Sequence, residues 1–245
     1  SLLFIASMVT NVFNYVFQIV MGRLLTPVEY GLMNSLLALL MIMSVPVATL
    51  LMVVTRKTAE YKANKDYSGI SGLYRVVNIR ILLSGLFGLM IYIVCTPYIQ
   101  QYLNAPSVMP IIILGLSIFT ALAYPINIAV LQGMQDYKWL GINQGMGGPA
   151  KFIFCVLFVL AGFSVNGVMA GLVVSGLFMW LLSYIPIRKY IQRDTMNSPV
   201  TDHISFFQVF PVFLANLAFA VLTQADMVLV SRYFSAHDAG MYASA

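Results

Sequence analysis

The sequence predicts an all-α integral membrane protein, an N-terminal six-helix bundle followed by the first one to two helices of a second, parallel-repeat bundle. Three observations carry this. Of the 245 residues, 60% are hydrophobic and 9% charged, with a mean hydropathy of +0.89, whereas soluble domains carry about 25% charged residues. There is too little polar surface to coat a water-soluble body. Uncharged stretches long enough to span a bilayer, about 20 residues each, recur along the chain. Finally, Arg23–Ser35 recurs 209 positions later as Arg232–Ser244: Arg23 matches Arg232, Thr26 matches Ser235, Glu29 matches Asp238, Gly31 matches Gly240 and Ser35 matches Ser244. The match is either a chance similarity of two short polar turns or an internal repeat about 200 residues long, and the repeat is the reading taken.

The elements follow in order. Ser1–Gly22 is uncharged and forms span one; Gly31–Val54 forms span two, with Pro46 in its middle. The polar stretch Thr55–Arg75 reads as a loop. No charge occurs over the 55 positions from Ile81 to Gln135. This predicts span three from about Val76 and span four from Met109 to Leu131, broken between Thr96-Pro97 and Pro106. A polar loop, Gln132–Asn143, leads to the Gly-rich stretch Gly145–Lys151. The uncharged run Phe152–Ile187 makes spans five and six, turning near Gly162–Gly167. Span seven covers about Phe206–Val230 and contains Asp226, and an eighth begins after the second motif copy. The two lobes divide at residues 1–200 and 201–245. Both chain ends read as cut, since Ser1 opens directly into apolar sequence.

Loop charge sets the orientation. Lys and Arg concentrate in cytoplasmic loops. The loops after spans two, four and six hold nine of them and the loops after odd-numbered spans only two, Arg23 and Arg232. The even loops are therefore cytoplasmic, with the N-terminus inside. Six spans separate the motif copies, so both face outward and the lobes are parallel, as in transporters whose substrate site lies between repeats.

Composition also excludes. The net charge of +5 sits in loops rather than on one patch, so nucleic acid is not an expected partner. Cys95 and Cys155 lie inside apolar runs without a CxxC spacing, which leaves no zinc site or disulfide framework. No nucleotide-binding, hydrolase or metalloprotease motif is present. No catalytic residue, metal site or cofactor is expected, and the protein is not expected to be an enzyme.

Polar residues inside spans are the functional candidates. Ser7, Asn11, Asn14 and Gln18 are spaced four, three and four apart and share one helix face. Such a stripe is costly against lipid; it either glues helices together or lines a hydrated cavity. Span seven carries a comparable set, Asn216 and Thr223 flanked by Gln224 and Asp226. Asp226 is the one carboxylate within an apolar run and the candidate for coupling to H+ or Na+; its bland reading is a boundary residue. Lys151 and Arg80 sit at the starts of spans five and three. They either anchor the membrane interface or reach inward to hold an anionic headgroup such as a lipid-linked diphosphate. Arg23 could do the same from outside, although it pairs naturally with Glu29. Gly141/Gly145 and Gly167/Gly171 read as close helix-packing positions, and Pro46 and Pro125 as kinks or hinges.

Gly22–Gly31, Leu131–Tyr137 and Ala225-Asp226 through Tyr242 resemble, in order and spacing, the polysaccharide flippases of the multidrug/oligosaccharidyl-lipid/polysaccharide exporter superfamily. The resemblance implies a two-lobed helical transporter of twelve to fourteen spans in the plasma membrane of a prokaryote. It implies a substrate of undecaprenyl-diphosphate-linked sugar and a cationic central cavity, for which Lys151, Arg80 and Arg23 are the candidates. The expected function is a lipid-linked oligosaccharide flippase working by alternating access. Its partners would be that substrate, the lipid bilayer and polysaccharide-assembly proteins. A multidrug or lipid II exporter and a non-catalytic scaffold for polysaccharide assembly are the alternatives.

Overall fold

The computed structural model describes residues 2–103 and 105–191, together with 210, 213–219, 221–223 and 229. Residues 2–191 form α1 (Leu2–Leu24), α2 (Pro27–Met43), α3 (Val45–Ala63), α4 (Tyr67–Tyr102), α5 (Met109–Gly133), α6 (Tyr137–Phe158) and α7 (Ser164–Ile191), with no strand among the described residues. A further helical segment covers 213–219 and 221–223.

Local sequence sets these ends. Thr26 and Glu29 cap α2 reciprocally: the Glu29 carboxylate accepts the Thr26 N–H at 2.9 Å, and Thr26 Oγ1 accepts the Glu29 N–H at 3.4 Å. Pro27 fills the first turn, where its missing N–H costs nothing. Asp66 and Asp136 cap α4 and α6 by accepting the N–H groups of Gly69 and Trp139. The turns before them match: Lys65 and Gln135 both take the left-handed conformation, at φ 58° and 56°, and Asp66 N–H and Asp136 N–H both reach back five residues, to Tyr61 O and Leu131 O. Between α6 and α7 a π-helical turn, Val159–Phe163, ends on Gly162 at φ 92°, a conformation that favours glycine.

Side-chain contacts give the helix directions. Leu2 lies on Gly141, Ala6 on Gly145, Thr10 on Gly148 and Asn14 on Lys151, so α1 and α6 run in the same direction. Thr120 lies on Gly176 and Asn127 bonds Ser183, so α5 and α7 are also parallel. Cys155 lies on Gly171 and Phe158 on Gly167, which makes α6 and α7 an antiparallel hairpin. Tyr74 meets Asn127 and Tyr92 meets Gly115, so α4 and α5 are antiparallel. Residues 2–191 thus pass back and forth six times, α2 and α3 sharing one kinked pass. The turns 64–66 and 134–136 lie together at one end, joined by Lys62 Nζ on Met134 O at 2.7 Å. This is the basic end of the bundle.

α1, α4, α5 and the folded pair α6–α7 are long and apolar enough to cross a membrane. An apolar cluster that includes Val54, Ile70, Leu73, Val130 and Ile187 fills the basic half. A second, with Phe17, Met21, Met33, Leu36, Leu114 and Met169, fills the other half.

Several expected boundaries move. Thr55–Arg75 is not a loop: α3 continues to Ala63 and α4 begins at Tyr67. Charged side chains can leave a helix for water without breaking it, so charge marks the membrane edge and not the helix end. The 36 residues of α4 extend about 54 Å at ~1.5 Å each, well beyond a ~30 Å hydrocarbon core. Its first turns, with Arg75 and Arg80, extend towards the basic end. Pro97 does not end α4, which runs on to Tyr102. Span two divides into α2 and α3 at Ser44, just before Pro46. Gly145–Lys151 is helical, inside α6, and the final turn falls at Val159–Phe163 rather than Gly162–Gly167.

Candidate functional site

Between the two apolar clusters lies a polar layer. α5 contributes Ser117, Thr120 and Tyr124, α6 contributes Lys151 and Gly147, α7 contributes Ser175 and Gly176, and Leu40 of α2 closes one side; together they line a cavity of ≈ 230 Å³. Glycines at 147 and 176 leave room there that side chains would fill. A second space of ≈ 520 Å³, between the first turns of α1 and α6, is lined by Leu2, Ile5, Ala6, Ile142, Met146 and two glycines. Its lining carries no polar side chain, so the Lys151 cavity is the candidate site.

Lys151 is half-buried. Its Nζ donates to Asn14 Oδ1 at 3.4 Å and lies 4.3 Å from the centroid of the fully buried Phe17 ring. Both contacts favour the ammonium form, the ring through its negative face. Neither supplies a compensating charge. The four described carboxylates are engaged elsewhere: Glu29 with Thr26, Glu60 with Arg56 and Lys57, Asp66 with Ser68 and Gly69, and Asp136 with Trp139 and Tyr190. Around the cavity Ser117, Thr120 and Ser175 turn their hydroxyl protons back to carbonyls of their own helices, Leu114, Ser117 and Leu172. The Tyr124 hydroxyl has no hydrogen-bond partner among the described residues.

The other sequence candidates are placed as follows. In the α1 stripe, Ser7 accepts from Gln144 of α6 at 2.7 Å and Gln18 accepts from the Tyr30 hydroxyl of α2 at 3.0 Å. Thr10, beside the stripe, donates to Gln144 O. Asn11 is exposed. Lys151 does not sit at the start of its helix; it is fourteen residues into α6, about 21 Å from its first residue. Arg80 is exposed on α4, which packs on α5, and does not line the Lys151 cavity. Arg23 is exposed. The expected Arg23–Glu29 ion pair does not form among the described residues, because the Glu29 carboxylate turns to the cap of its own helix. Asn216 lies 3.4 Å from Thr49 Oγ1 of α3. Gln224, Asp226 and the Arg232–Ser244 motif lie outside the described residues.

Ser117, Thr120 and Tyr124 were not anticipated from the charge pattern. With Asn127 they are spaced three, four and three apart on α5, the same signal that marks α1. Asn127 is fully buried; it accepts from the Tyr74 hydroxyl at 2.9 Å and donates to Ser183 at 2.8 Å, tying α4, α5 and α7 together beneath the cavity.

Helices long and apolar enough to cross a membrane, with a polar layer across their apolar core, define an all-α integral membrane protein. Residues 20–245 match the family of polysaccharide biosynthesis proteins, and the chain belongs to that family. The succinoglycan biosynthesis transport protein ExoT of Rhizobium meliloti (strain 1021) is 28% identical over 123 residues, 50% of this chain and 24% of that protein. Two solved transporters of the MOP superfamily share the fold. One comes from Pyrococcus furiosus (TM-score 0.57, 16% identity, 94% of this chain and 53% of that one). The other is a multidrug resistance transporter of the MATE family in an outward-facing conformation (TM-score 0.57, 17% identity, again 94% and 53%). The chain therefore spans about half the length of these structures and matches a quarter of the curated relative.

Proposed function

We propose that this chain is the N-terminal lobe, residues 1–200, and the start of the C-terminal lobe, residues 201–245, of a flippase for lipid-diphosphate-linked oligosaccharide. It works in the plasma membrane of a prokaryote with its N-terminus in the cytoplasm. The two lobes rock about a midplane site in alternating access. Family membership supports the polysaccharide pathway, and the named activity of the succinoglycan relative supports transport. The observation that carries the substrate assignment is Lys151, an ammonium about 21 Å into α6 without a described carboxylate beside it. Inside a membrane an ionisable group marks a substrate or ion path, and a lysine there suits a phosphate.

In this reading Asn11, Asn14, Gln18 and Lys151 serve the substrate path from the first lobe, and Asn216 and Gln224 from the second. Arg23 and Arg80, exposed on the helices, attract the phosphates from the two ends. Asp226 couples transport to H+ or Na+. The test is complementation of a deletion strain with Lys151→Met, Lys151→Arg, Arg80→Gln and Asp226→Asn. Lys151→Met should abolish polymer export while the protein stays in the membrane, and Lys151→Arg should retain part of it. Normal export by Lys151→Met would sink the assignment. Drug sensitivity of the deletion strain without a polymer defect would favour the multidrug alternative instead.

A further inference from the structure

Beside the seam that joins α1 to α6 the two helices diverge and leave the ≈ 520 Å³ groove, within the ~300–1,000 Å³ of sites that hold small ligands. No polar side chain lines it, and Leu2, Ile5, Ile142 and Met146 are exposed along its open side. An apolar space without polar partners does not hold ordered water, so hydrocarbon is its natural filling. Its α6 wall, Gly141 to Met146, lies about 6–14 Å along the helix from Tyr137. Tyr137 and Lys138 are exposed in the first turn, and tyrosine collects at the level of the lipid headgroups. The groove therefore lies just beneath that level, among acyl chains. Lys138, Ile142 and Gly145 share one helix face, which puts the lysine at the head of the groove. Lys138 makes no hydrogen bond or ion pair among the described residues. Asp136, two residues before it, is engaged by the Trp139 N–H and the Tyr190 hydroxyl. The Tyr190 bond also brings the end of α7, with Arg188 and Lys189 both exposed, to the start of α6. An apolar slot with a cationic rim is the complement of an anionic lipid. A transported lipid would have to share a path with Lys151, but the groove and the Lys151 cavity have no lining residue in common. Ile142 and Lys151 are about two and a half turns apart, on opposite faces of α6.

We propose that the α1–α6 groove binds one anionic phospholipid of the leaflet at the basic end, with an acyl chain between the helices and the headgroup on Lys138. This lipid stays with the protein and is not its cargo, so the site is independent of what the protein transports. Its job is structural. Among the described residues α1 packs almost wholly on α6, and at this end the seam consists of Leu2 on Gly141 and Ala6 on Gly145. A chain laid beside that seam covers the exposed flanks of both helices. About two turns beyond Ala6, α1 carries the Asn14 that meets Lys151 at 3.4 Å, so the bound lipid steadies the helix that presents Asn14.

The experiment uses the purified full-length protein, delipidated in detergent. It reads the thermal unfolding midpoint during titration with phosphatidylglycerol, with phosphatidylcholine of the same chains, and with glycerol phosphate, which has an anionic head and no chain. Phosphatidylglycerol should raise the midpoint saturably. Phosphatidylcholine should bind about fivefold more weakly, the size of one lysine at an anionic headgroup, and glycerol phosphate should have no effect. Ile142→Trp and Met146→Trp place a ring in the groove and should weaken phosphatidylglycerol binding by at least about tenfold, the loss of two or more buried methylene groups. Lys138→Gln should bring phosphatidylglycerol down to the affinity of phosphatidylcholine, and Lys138→Arg should keep the preference. Because Lys138 is exposed, Lys138→Gln carries the test if neither tryptophan variant folds. Equal affinity for the two phospholipids, or the same response in native, Ile142→Trp and Lys138→Gln proteins, overturns the site. A polyprenyl phosphate that binds more tightly than phosphatidylglycerol and displaces it also overturns the site, by making the groove part of the transport path. So does a dimer that Ile142→Trp converts to monomer without any lipid response, which makes a second copy the occupant.

Discussion

Lys151 of α6 and Asn14 of α1 meet at 3.4 Å, Nζ to Oδ1, on the only hydrogen bond the ammonium makes among the described residues. The same two helices are held further along by Ser7 on Gln144 and by Thr10 against Gly148. The polar stripe on α1 therefore has two jobs. Its Ser7 fixes α1 to α6, and its Asn14 steadies the one cation of the polar layer. Because the bond is neutral on the Asn14 side, it orients the ammonium without cancelling its charge, which leaves the lysine available to an anion.

Gly171 should not tolerate a side chain. A Cβ there would lie 2.6 Å from the Cys155 Cα, so α6 and α7 would have to separate along their whole contact. Gly171→Leu should destabilise the lobe by about 1–3 kcal/mol, the usual cost of overpacking, seen as a lower unfolding midpoint in detergent. Gly88 has nothing within 4 Å. Gly88→Ala should leave stability unchanged or raise it by up to about 1 kcal/mol through helix propensity. Equal loss in both variants would show that general helix perturbation, and not the α6–α7 approach, is responsible.

Asn127 should matter more to stability than its neighbours. It is fully buried, and its loss takes away the acceptor that the Tyr74 hydroxyl bonds at 2.9 Å. Asn127→Leu should cost about 1–3 kcal/mol, the penalty of removing one partner of a buried hydrogen bond. Adding Tyr74→Phe removes the donor, so the double variant should recover part of that loss. A strictly additive double-mutant cycle would mean the two side chains do not interact.

Asp66 predicts an acid-sensitive turn. The N–H of Gly69, followed by the Ser68 hydroxyl, holds its carboxyl below the ordinary 3.8. A depressed folded value means that the cap contributes fully above the unfolded value and is lost as pH falls through the lower folded one. The stabilising contribution should fade below about pH 4. Asp66→Asn keeps a capping oxygen without the titration and should flatten that part of the stability profile. Asp66→Ala should lower stability near neutral pH by about 1 kcal/mol. An unchanged acid limb in Asp66→Asn would remove Asp66 as its source.

How much was legible in the sequence divides along physical lines. Hydropathy and loop charge are one-dimensional, and they marked the helical membrane class and the rough location of the passes among residues 2–191. Helix ends were less legible. Arg56, Lys57 and Glu60 looked like a loop, yet α3 runs through them because i,i+4 ion pairs, such as Arg56 with Glu60 at 3.1 Å, suit an exposed helix. Lys151 was found as a residue but misplaced, since the Gly-rich residues before it looked like a boundary; Gly145 and Gly148 among them are where α6 packs against α1. The cavity was invisible because Ser117, Thr120 and Tyr124 carry no charge and depend on α6 and α7, about thirty to sixty residues later, to acquire a partner lysine and a wall. Only their spacing, in step with Asn127, pointed to a shared face.

The sharpest test of the polar layer is Asn14→Asp. The substitution keeps size and shape and exchanges a neutral acceptor for a carboxylate, placed where Asn14 now meets Lys151 at 3.4 Å. An ion pair there would satisfy the ammonium from within the protein. Breaking such a pair away from water costs several kcal/mol, so an external phosphate would have to displace a tethered competitor. Asn14→Asp should therefore fold at least as well as the native protein, with an equal or higher unfolding midpoint, yet bind phosphate at least tenfold more weakly and fail to support polymer export. Asn14→Ala separates charge from contact: it frees the ammonium without neutralising it, so phosphate binding should change by less than about tenfold. If Asn14→Asp binds phosphate and exports polymer like the native protein, the uncompensated charge of Lys151 is not what the site uses.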